Sequence, residues 1–133
     1  MMKITITMSN ERPPIITDIK TPKALTAFLE VNQGIIIIKM GAEWCAPCKR
    51  IEPLVNSWFK KMPNNVYCAI VDIDTCFELF GFLKKKRVVK GVPTLLAYYK
   101  DNTHYVPDDL TSGADEREVN DFFERCLEEV GDI

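Results

Sequence analysis

The sequence predicts an α/β fold in which helices flank both faces of a central mixed sheet of four to five strands, giving three layers. Residues 35–38 form a continuous β-branched run, and residues 65–74, NVYCAIVDID, form a second segment of the type that is buried on both faces of a sheet. A segment with the apolar spacing of a helix lies between them, as expected for two strands joined by a crossover helix. An amphipathic segment near the end, residues 114–130, adds a helix that must bury one face.

The first half of the chain supplies two short strand candidates and two helices. Residues 3–8, KITITM, alternate as a half-buried strand does, within an N-terminal extension that we assign to residues 1–14. Residues 15–19, IITDI, predict a short strand or an extended approach. The segment TPKALTAFLEV predicts a helix with Thr21 as its N-cap. The segment that follows the first buried strand, CKRIEPLVNSWFKKM, predicts another helix, in which Pro53 should introduce a kink.

The second half predicts a helix, a hairpin and the closing helix. Residues 76–89, CFELFGFLKKKRVV, favour a helix with Gly81 as a weak point. Residues 93–100 and 103–107 have the pattern of two strands around the turn signal KDN. In the closing helix, carboxylates in the first turn oppose the helix dipole.

Bulk composition indicates one folded domain over all 133 residues. The net charge of -2 gives no drive towards nucleic acid or an anionic membrane, and no run approaches the roughly 18 apolar residues of a membrane span. We expect neither partner. The N-terminus lacks the apolar core of a secretory signal, which favours a cytoplasmic, reducing location.

The stretch WCAPC, residues 44–48, contains the candidate reactive residues, two cysteines that are two residues apart. Cys45 lies where a strand turns into a helix, and the unpaired amides of the first helical turn stabilise a thiolate there and lower its pKa. Cys48 follows about one turn later and can reach back to form a disulfide or to resolve a mixed one. Pro47 suits the start of a helix, and Trp44 can shield the pair.

A zinc site is the competing interpretation of the two cysteines. Structural zinc usually takes four Cys or His ligands, often as two close pairs. This chain has one CxxC and one histidine, His104, which is distant in sequence; Cys68 and Cys76 have the wrong spacing. We therefore expect no metal. A purely structural pair would not need a Trp before it and a Pro within it.

Taken together, these motifs resemble those of the thioredoxin family. The resemblance rests on AEWCAPCK (residues 42–49), Pro53, VDID (71–74), GVPTLLAY (91–98) and Gly113, and it extends over roughly residues 15–130. It implies the thioredoxin fold and a thiol–disulfide oxidoreductase whose only redox group is the Cys45–Cys48 disulfide, with no separate cofactor. It also implies a monomer that exchanges disulfides with disulfide-containing proteins. A thioredoxin reductase or another thiol electron donor would reduce its cysteine pair again after each exchange.

The resemblance also assigns roles to individual residues. Cys45 would be the attacking thiolate, Cys48 the buried resolving thiol and Pro93 the cis-proline. The backbone of Val92 would pair with an extended substrate peptide. The apolar docking surface would be formed by Trp44, Ala46, Pro47, Gly91, Val92 and Pro93.

The chain departs from the family pattern at Lys39, where the family has a buried acid six residues before the first cysteine. Three interpretations stay open: a cation that tunes the pKa of Cys45 and makes the disulfide more oxidising, a neutral amine that acts as a base, or an amine that reaches water. Gly41, where an aromatic is common, and Ala46, where glycine is usual, also differ.

These departures keep two alternative functions open. One is a more oxidising, oxidase- or isomerase-like variant, and the other is a binding module whose redox activity is secondary. Among the other cysteines, Cys76 is a candidate regulatory or dimerisation site, whereas Cys68 and Cys126 fit buried thiols. The basic segment Lys84–Lys90 fits a solvated helix face or a patch that docks an acidic partner.

Overall fold

Residues 12–131, the part of the chain that the computed structural model describes, form four helices around one four-stranded sheet. The strands are β1 (Ile35–Gly41), β2 (Val66–Asp72), β3 (Thr94–Tyr99) and β4 (Asp109–Ser112), and their order in the sheet is β2–β1–β3–β4. β1 runs parallel to β2 and antiparallel to β3, and β3 runs antiparallel to β4. The predicted mixed sheet is confirmed.

The helices are α1 (Pro22–Glu30), α2 (Ala46–Lys61), α3 (Phe77–Lys85) and α4 (Glu116–Gly131). Successive side chains of a strand point to opposite faces, so each face of β1 has its own core. Ile35 and Ile37 pack with α2 and α4, and Ile36 and Ile38 pack with α1 and α3. The predicted three-layer architecture is confirmed.

The N-terminal approach to the sheet is extended, as predicted for residues 15–19. Ile16 forms an isolated parallel bridge with Ala69 on the outer edge of β2. Thr21 then caps α1, since its hydroxyl accepts a hydrogen bond from the amide of Ala24 at 3.0 Å. The strand predicted over residues 3–8 lies outside the described residues, and the single-domain assignment of residues 1–133 stays a prediction.

The strand predicted over residues 103–107 is wrong. The chain turns at Asp101, with φ 75°, but the next strand, β4, begins only at Asp109. Side chains form hydrogen bonds with the backbone groups that would otherwise pair two strands. Asn102 donates to the carbonyl of Val106 at 3.1 Å, and the carboxylate of Asp108 accepts from the amide of Tyr99 at 2.7 Å. This polar loop replaces the predicted tight hairpin.

α3 is shorter than predicted, because it ends at Lys85 rather than at residue 89. Arg87 adopts a left-handed backbone with φ 64°, which stops the helix. The basic side chains that follow are exposed at the surface. They lie at the carboxyl end of α3, where cations oppose the helix dipole.

Candidate active site

Cys45 and Cys48 lie at the junction between β1 and α2. β1 ends at Gly41, a short turn follows, and Cys45 is the N-cap of α2. Its sulfur accepts a hydrogen bond from the amide of Cys48 at 3.2 Å. An amide of the first helical turn therefore points at this sulfur, as the sequence predicts.

The two cysteines form a disulfide, with a Cα–Cα distance of 5.3 Å. This distance lies within the ordinary range for disulfides. Each cysteine is only 4% exposed, so both sulfurs are buried to the same degree in this oxidised form. Val92 packs against the pair, and its carbonyl oxygen lies 3.8 Å from the sulfur of Cys45.

The residues expected to form a docking surface are brought around the disulfide. The Val92–Pro93 peptide bond is cis. The hydroxyl of Thr94 donates to the carbonyl of Gly91 at 2.7 Å and fixes the turn before β3. Ala46 is exposed, and Pro47 and Val92 are half-buried. Together they leave an accessible apolar rim beside two buried sulfurs.

Asp74 is a site residue for which sequence reasoning found no role. Its carboxylate accepts a hydrogen bond from the indole N–H of Trp44 at 3.0 Å, while the Trp44 side chain stays 67% exposed. The sequence could have indicated this contact. The segments with Trp44 and Asp74 each follow a buried strand, and the carboxyl ends of the parallel strands β1 and β2 meet at the same edge of the sheet. Asp74 thus holds an exposed aromatic side chain next to the disulfide.

Lys39 lies on β1, on the face that packs against α2, and is 6% exposed. It lines an open cavity of about 120 Å³ together with Cys48, Gly41 and Glu52. Burial lowers the pKa of Lys39 from its ordinary value, and the charge of Glu52 partly opposes this effect. The lysine therefore shares a cavity with Cys48, and this position bears on the neutral base as well as on the cation near Cys45, two of the three interpretations that the sequence left open.

Comparison with known proteins decides the family. The sequence model described as Thioredoxin matches residues 17–125. The chain belongs to the thioredoxin family. Thioredoxin 3 of Plasmodium falciparum is 31% identical over 104 residues, which are 77% of this chain and 54% of that protein. Thioredoxin of Pongo abelii is 29% identical over 86 residues, which are 62% of this chain and 76% of that protein.

Solved thioredoxins share the fold. The X-ray structure of Fasciola hepatica thioredoxin has a TM-score of 0.65 at 27% identity, and the match covers 84% of this chain and 98% of that one. The match with the Plasmodium protein, in contrast, spans about half of that protein's length. The predicted thioredoxin fold is confirmed for the described residues.

The three remaining cysteines of this thioredoxin-family chain are free thiols in the core. Burial raises the pKa of Cys68 to about 11 and that of Cys126 to about 12, which disfavours their thiolates at neutral pH. Cys76 precedes α3 and is 0% exposed. A regulatory or dimerisation role for Cys76 needs an access that this conformation does not give, and the role stays a prediction.

The described residues contain neither a cluster of metal ligands nor a long apolar helix. Within residues 12–131, no group of three or more His, Cys, Asp or Glu side chains is placed to hold a metal ion. None of the described helices has both the length and the apolar character needed to cross a membrane.

Proposed function

We propose that this protein is a thiol–disulfide oxidoreductase that exchanges disulfides with protein substrates. One observation carries the proposal. A Cys45–Cys48 disulfide lies at the amino end of α2, with Cys45 as the helix cap, in a chain of the thioredoxin family. A disulfide in this position can be opened and closed by exchange with other thiols.

In the reduced protein, Cys45 is the nucleophile. The amide of Cys48 and the amino end of α2 stabilise its thiolate, because both present positive charge to the sulfur. The thiolate attacks one sulfur of a substrate disulfide and forms a mixed disulfide, which releases the first substrate thiolate. Cys48 then loses its proton and attacks Cys45. This second step closes the Cys45–Cys48 disulfide, releases the second substrate thiolate and leaves the substrate reduced by two electrons.

The rim around the disulfide supports a role in substrate docking. Trp44 and Ala46 are exposed next to Cys45, and Val92 lies against its sulfur. The proposal assigns substrate contact to Trp44, Ala46, Pro47, Gly91, Val92 and Pro93, of which Pro93 is buried and contributes through its cis peptide bond with Val92. An extended apolar peptide fits such a surface, because the backbone of Val92 can pair with the substrate backbone while the rim covers its side chains.

The proposal includes the supply of electrons. A thioredoxin reductase or another dithiol donor returns the Cys45–Cys48 pair to the reduced state after each cycle, without a bound cofactor. We place the protein in a reducing compartment, the cytoplasm, where the free thiols of Cys68, Cys76 and Cys126 stay reduced. We expect it to act as a monomer.

Catalysed reduction of insulin by dithiothreitol tests the proposal. We expect the wild-type protein to accelerate insulin precipitation and Cys45→Ser to lose that acceleration, because serine can cap the helix but cannot attack a disulfide. Cys126→Ala, which removes a thiol buried under α4, should keep the activity. An active Cys45→Ser protein would contradict the proposed role. A partner that binds equally well to the Cys45→Ser/Cys48→Ser protein would favour a binding module.

A further inference from the structure

Lys39 interrupts the apolar face of β1. Ile35 and Ile37 point from this strand into the core under α2, and Lys39 is the next residue on the same face. Its backbone lies between two neighbours, Ile70 on β2 and Leu95 on β3, so the side chain cannot turn to the other face. A long cationic side chain at this position must end beside the amino-terminal part of α2, where Cys48 lies.

Gly41 leaves a gap between the lysine and the thiol. A Cβ placed on Gly41 would lie 3.5 Å from the sulfur of Cys48 and 4.0 Å from Cε of Lys39. The side chains of Lys39 and Cys48 therefore approach the same point in space, next to the Cα of Gly41. The gap belongs to the open cavity of about 120 Å³, which is large enough to admit water. A proton can pass between the amine and the sulfur through this space.

The other charged groups that face the cavity come from the turn before α2, from α2 and from β2. Glu43 and Lys49 pair with each other at 3.0 Å, and both are exposed. Asp72 accepts a hydrogen bond from the amide of Asp74 at 2.9 Å. Glu52 lies on α2 one turn after Cys48 and makes no ion pair among the described residues. It is the carboxylate whose charge acts on Lys39.

We propose that Lys39 accepts the proton of Cys48 across the gap at Gly41 when Cys48 resolves the mixed disulfide, and that Glu52, which lines the same cavity, interacts with the ammonium that forms. The inference rests on the proposed oxidoreductase function. In the step, the S–H bond of Cys48 breaks and its proton moves to the neutral amine. The new thiolate attacks the sulfur of Cys45 and forms the Cys45–Cys48 bond. The bond between Cys45 and the substrate sulfur breaks, and its electron pair stays on the substrate sulfur as a thiolate. The ammonium then returns its proton to the solvent of the cavity or to the released thiolate.

The electrostatics of Lys39 agree with this role. A proton acceptor must be neutral when the thiol approaches, and burial lowers the pKa of Lys39, so its neutral form is more abundant than that of an exposed lysine. Glu52 acts in the opposite direction and keeps the amine basic enough to take a proton. Burial is the larger of the two effects, so the net shift lowers the pKa of Lys39 towards the range in which thiols ionise.

The resolving step can be measured alone. A nitrobenzoate disulfide reagent forms a mixed disulfide with Cys45, and attack by Cys48 releases a second coloured thiolate whose appearance is followed in a stopped-flow instrument across pH. We expect Lys39→Met to slow this release at least about tenfold near neutral pH, less than the full effect of a positioned base because the cavity admits solvent. The deficit should vanish at high pH. Lys60→Met, which removes an exposed lysine of α2, is the matched control and should behave as wild type.

Two further variants separate proton transfer from a simple charge effect. Gly41→Ala adds a methyl at ordinary contact distance from Cys48, keeps the lysine charge and fills the gap. We expect slower resolution with an unchanged rate of attack by Cys45. Glu52→Gln, at an exposed position where folding is not at risk, should shift the pH midpoint of resolution downwards, whereas the remote Glu124→Gln on α4 should not.

Three results would overturn the inference. Lys39→Met could resolve as fast as Lys60→Met at every pH, which would remove any role for the amine. Gly41→Ala could resolve as fast as wild type, which would show that Lys39 acts through its charge alone. Glu52→Gln could leave the pH midpoint where it is. Failure of the proposed function looks different, because then no variant, and not the wild type either, would form the mixed disulfide at Cys45.

Discussion

At the scale of single residues, the sequence identified Lys39 as unusual but did not predict which cysteine its side chain faces. Its distance from Cys45 and its place at the end of a buried strand marked it as unusual. The direction of its side chain could not be predicted, because that depends on the register of β1 with both neighbours. Ile70 and Leu95 flank it in the sheet, and the amine consequently faces Cys48. Glu52 was missed for the same reason, since only the packing of α2 brings it to this cavity.

The burial of Lys39 has a consequence for stability. Lys39→Met should increase the free energy of unfolding at neutral pH, because a pKa lowered in the folded state means that the charged amine destabilises the fold. Between the lowered pKa and the ordinary value of 10.5, the unfolded wild type binds more protons, so its stability should rise with pH. The methionine variant should lack this rise.

Urea unfolding of both proteins, at neutral pH and near the ordinary lysine pKa, measures the difference. We expect the advantage of Lys39→Met to be largest at the lower pH and to shrink as pH rises. Lys60→Met controls for the removal of an exposed charge. A lower stability of Lys39→Met at neutral pH would show that the lysine stabilises the fold, against the direction argued from its burial.

At the scale of elements, α2 connects the site to the core. Its first turn holds Cys45 and Cys48, and its second half packs on α4. There the rings of Trp58 and Phe123 stack with centroids 5.3 Å apart, and the indole of Trp58 donates to the Asn120 side chain at 2.7 Å. The position of the catalytic end of α2 therefore depends on an aromatic contact at its far end.

Phe123→Ala should destabilise the protein by about 3–5 kcal/mol, because the side chain is fully buried and its removal leaves a cavity between α2 and α4. Thermal or urea unfolding measures the loss. Phe77→Ala is the matched control, since Phe77 is 67% exposed at the start of α3, and a surface change of this kind stays within about 0.5 kcal/mol. Equal losses in the two variants would contradict the packing described for the α2–α4 face.

The helices were largely predictable from the sequence, whereas the last strand was not. Apolar spacing and the Thr21 cap located α1, and the same spacing located α2 and α4, because these signals are local. The strand assigned to residues 103–107 failed since alternation alone does not show where hydrogen bonds go. In the structure, Asn102 and Asp108 take up the backbone groups of that loop.

At the scale of the whole molecule, three segments distant in sequence meet at one edge of the sheet. The parallel pairing of β1 and β2 brings the turn with Trp44 and Cys45 next to Asp74. The antiparallel β3 begins at the same edge, so the segment before it places Val92 against the disulfide. The motifs WCAPC, VDID and GVPT were each visible in the sequence. Their contact is a product of topology, and it produces a reactive disulfide with an apolar rim.

Trapping of the intermediate is the most direct test of the claim that Cys45 attacks and Cys48 resolves. Reduced Cys48→Ser is incubated with a disulfide-containing protein, and the product is mapped by mass spectrometry after the remaining thiols have been blocked. We predict a stable mixed disulfide at Cys45, because the thiol that would resolve it has been replaced by serine and the other three cysteines are buried, and no adduct when Cys45→Ser is treated in the same way. An adduct on Cys48 in the Cys45→Ser protein, or none at Cys45 in Cys48→Ser, would contradict the account.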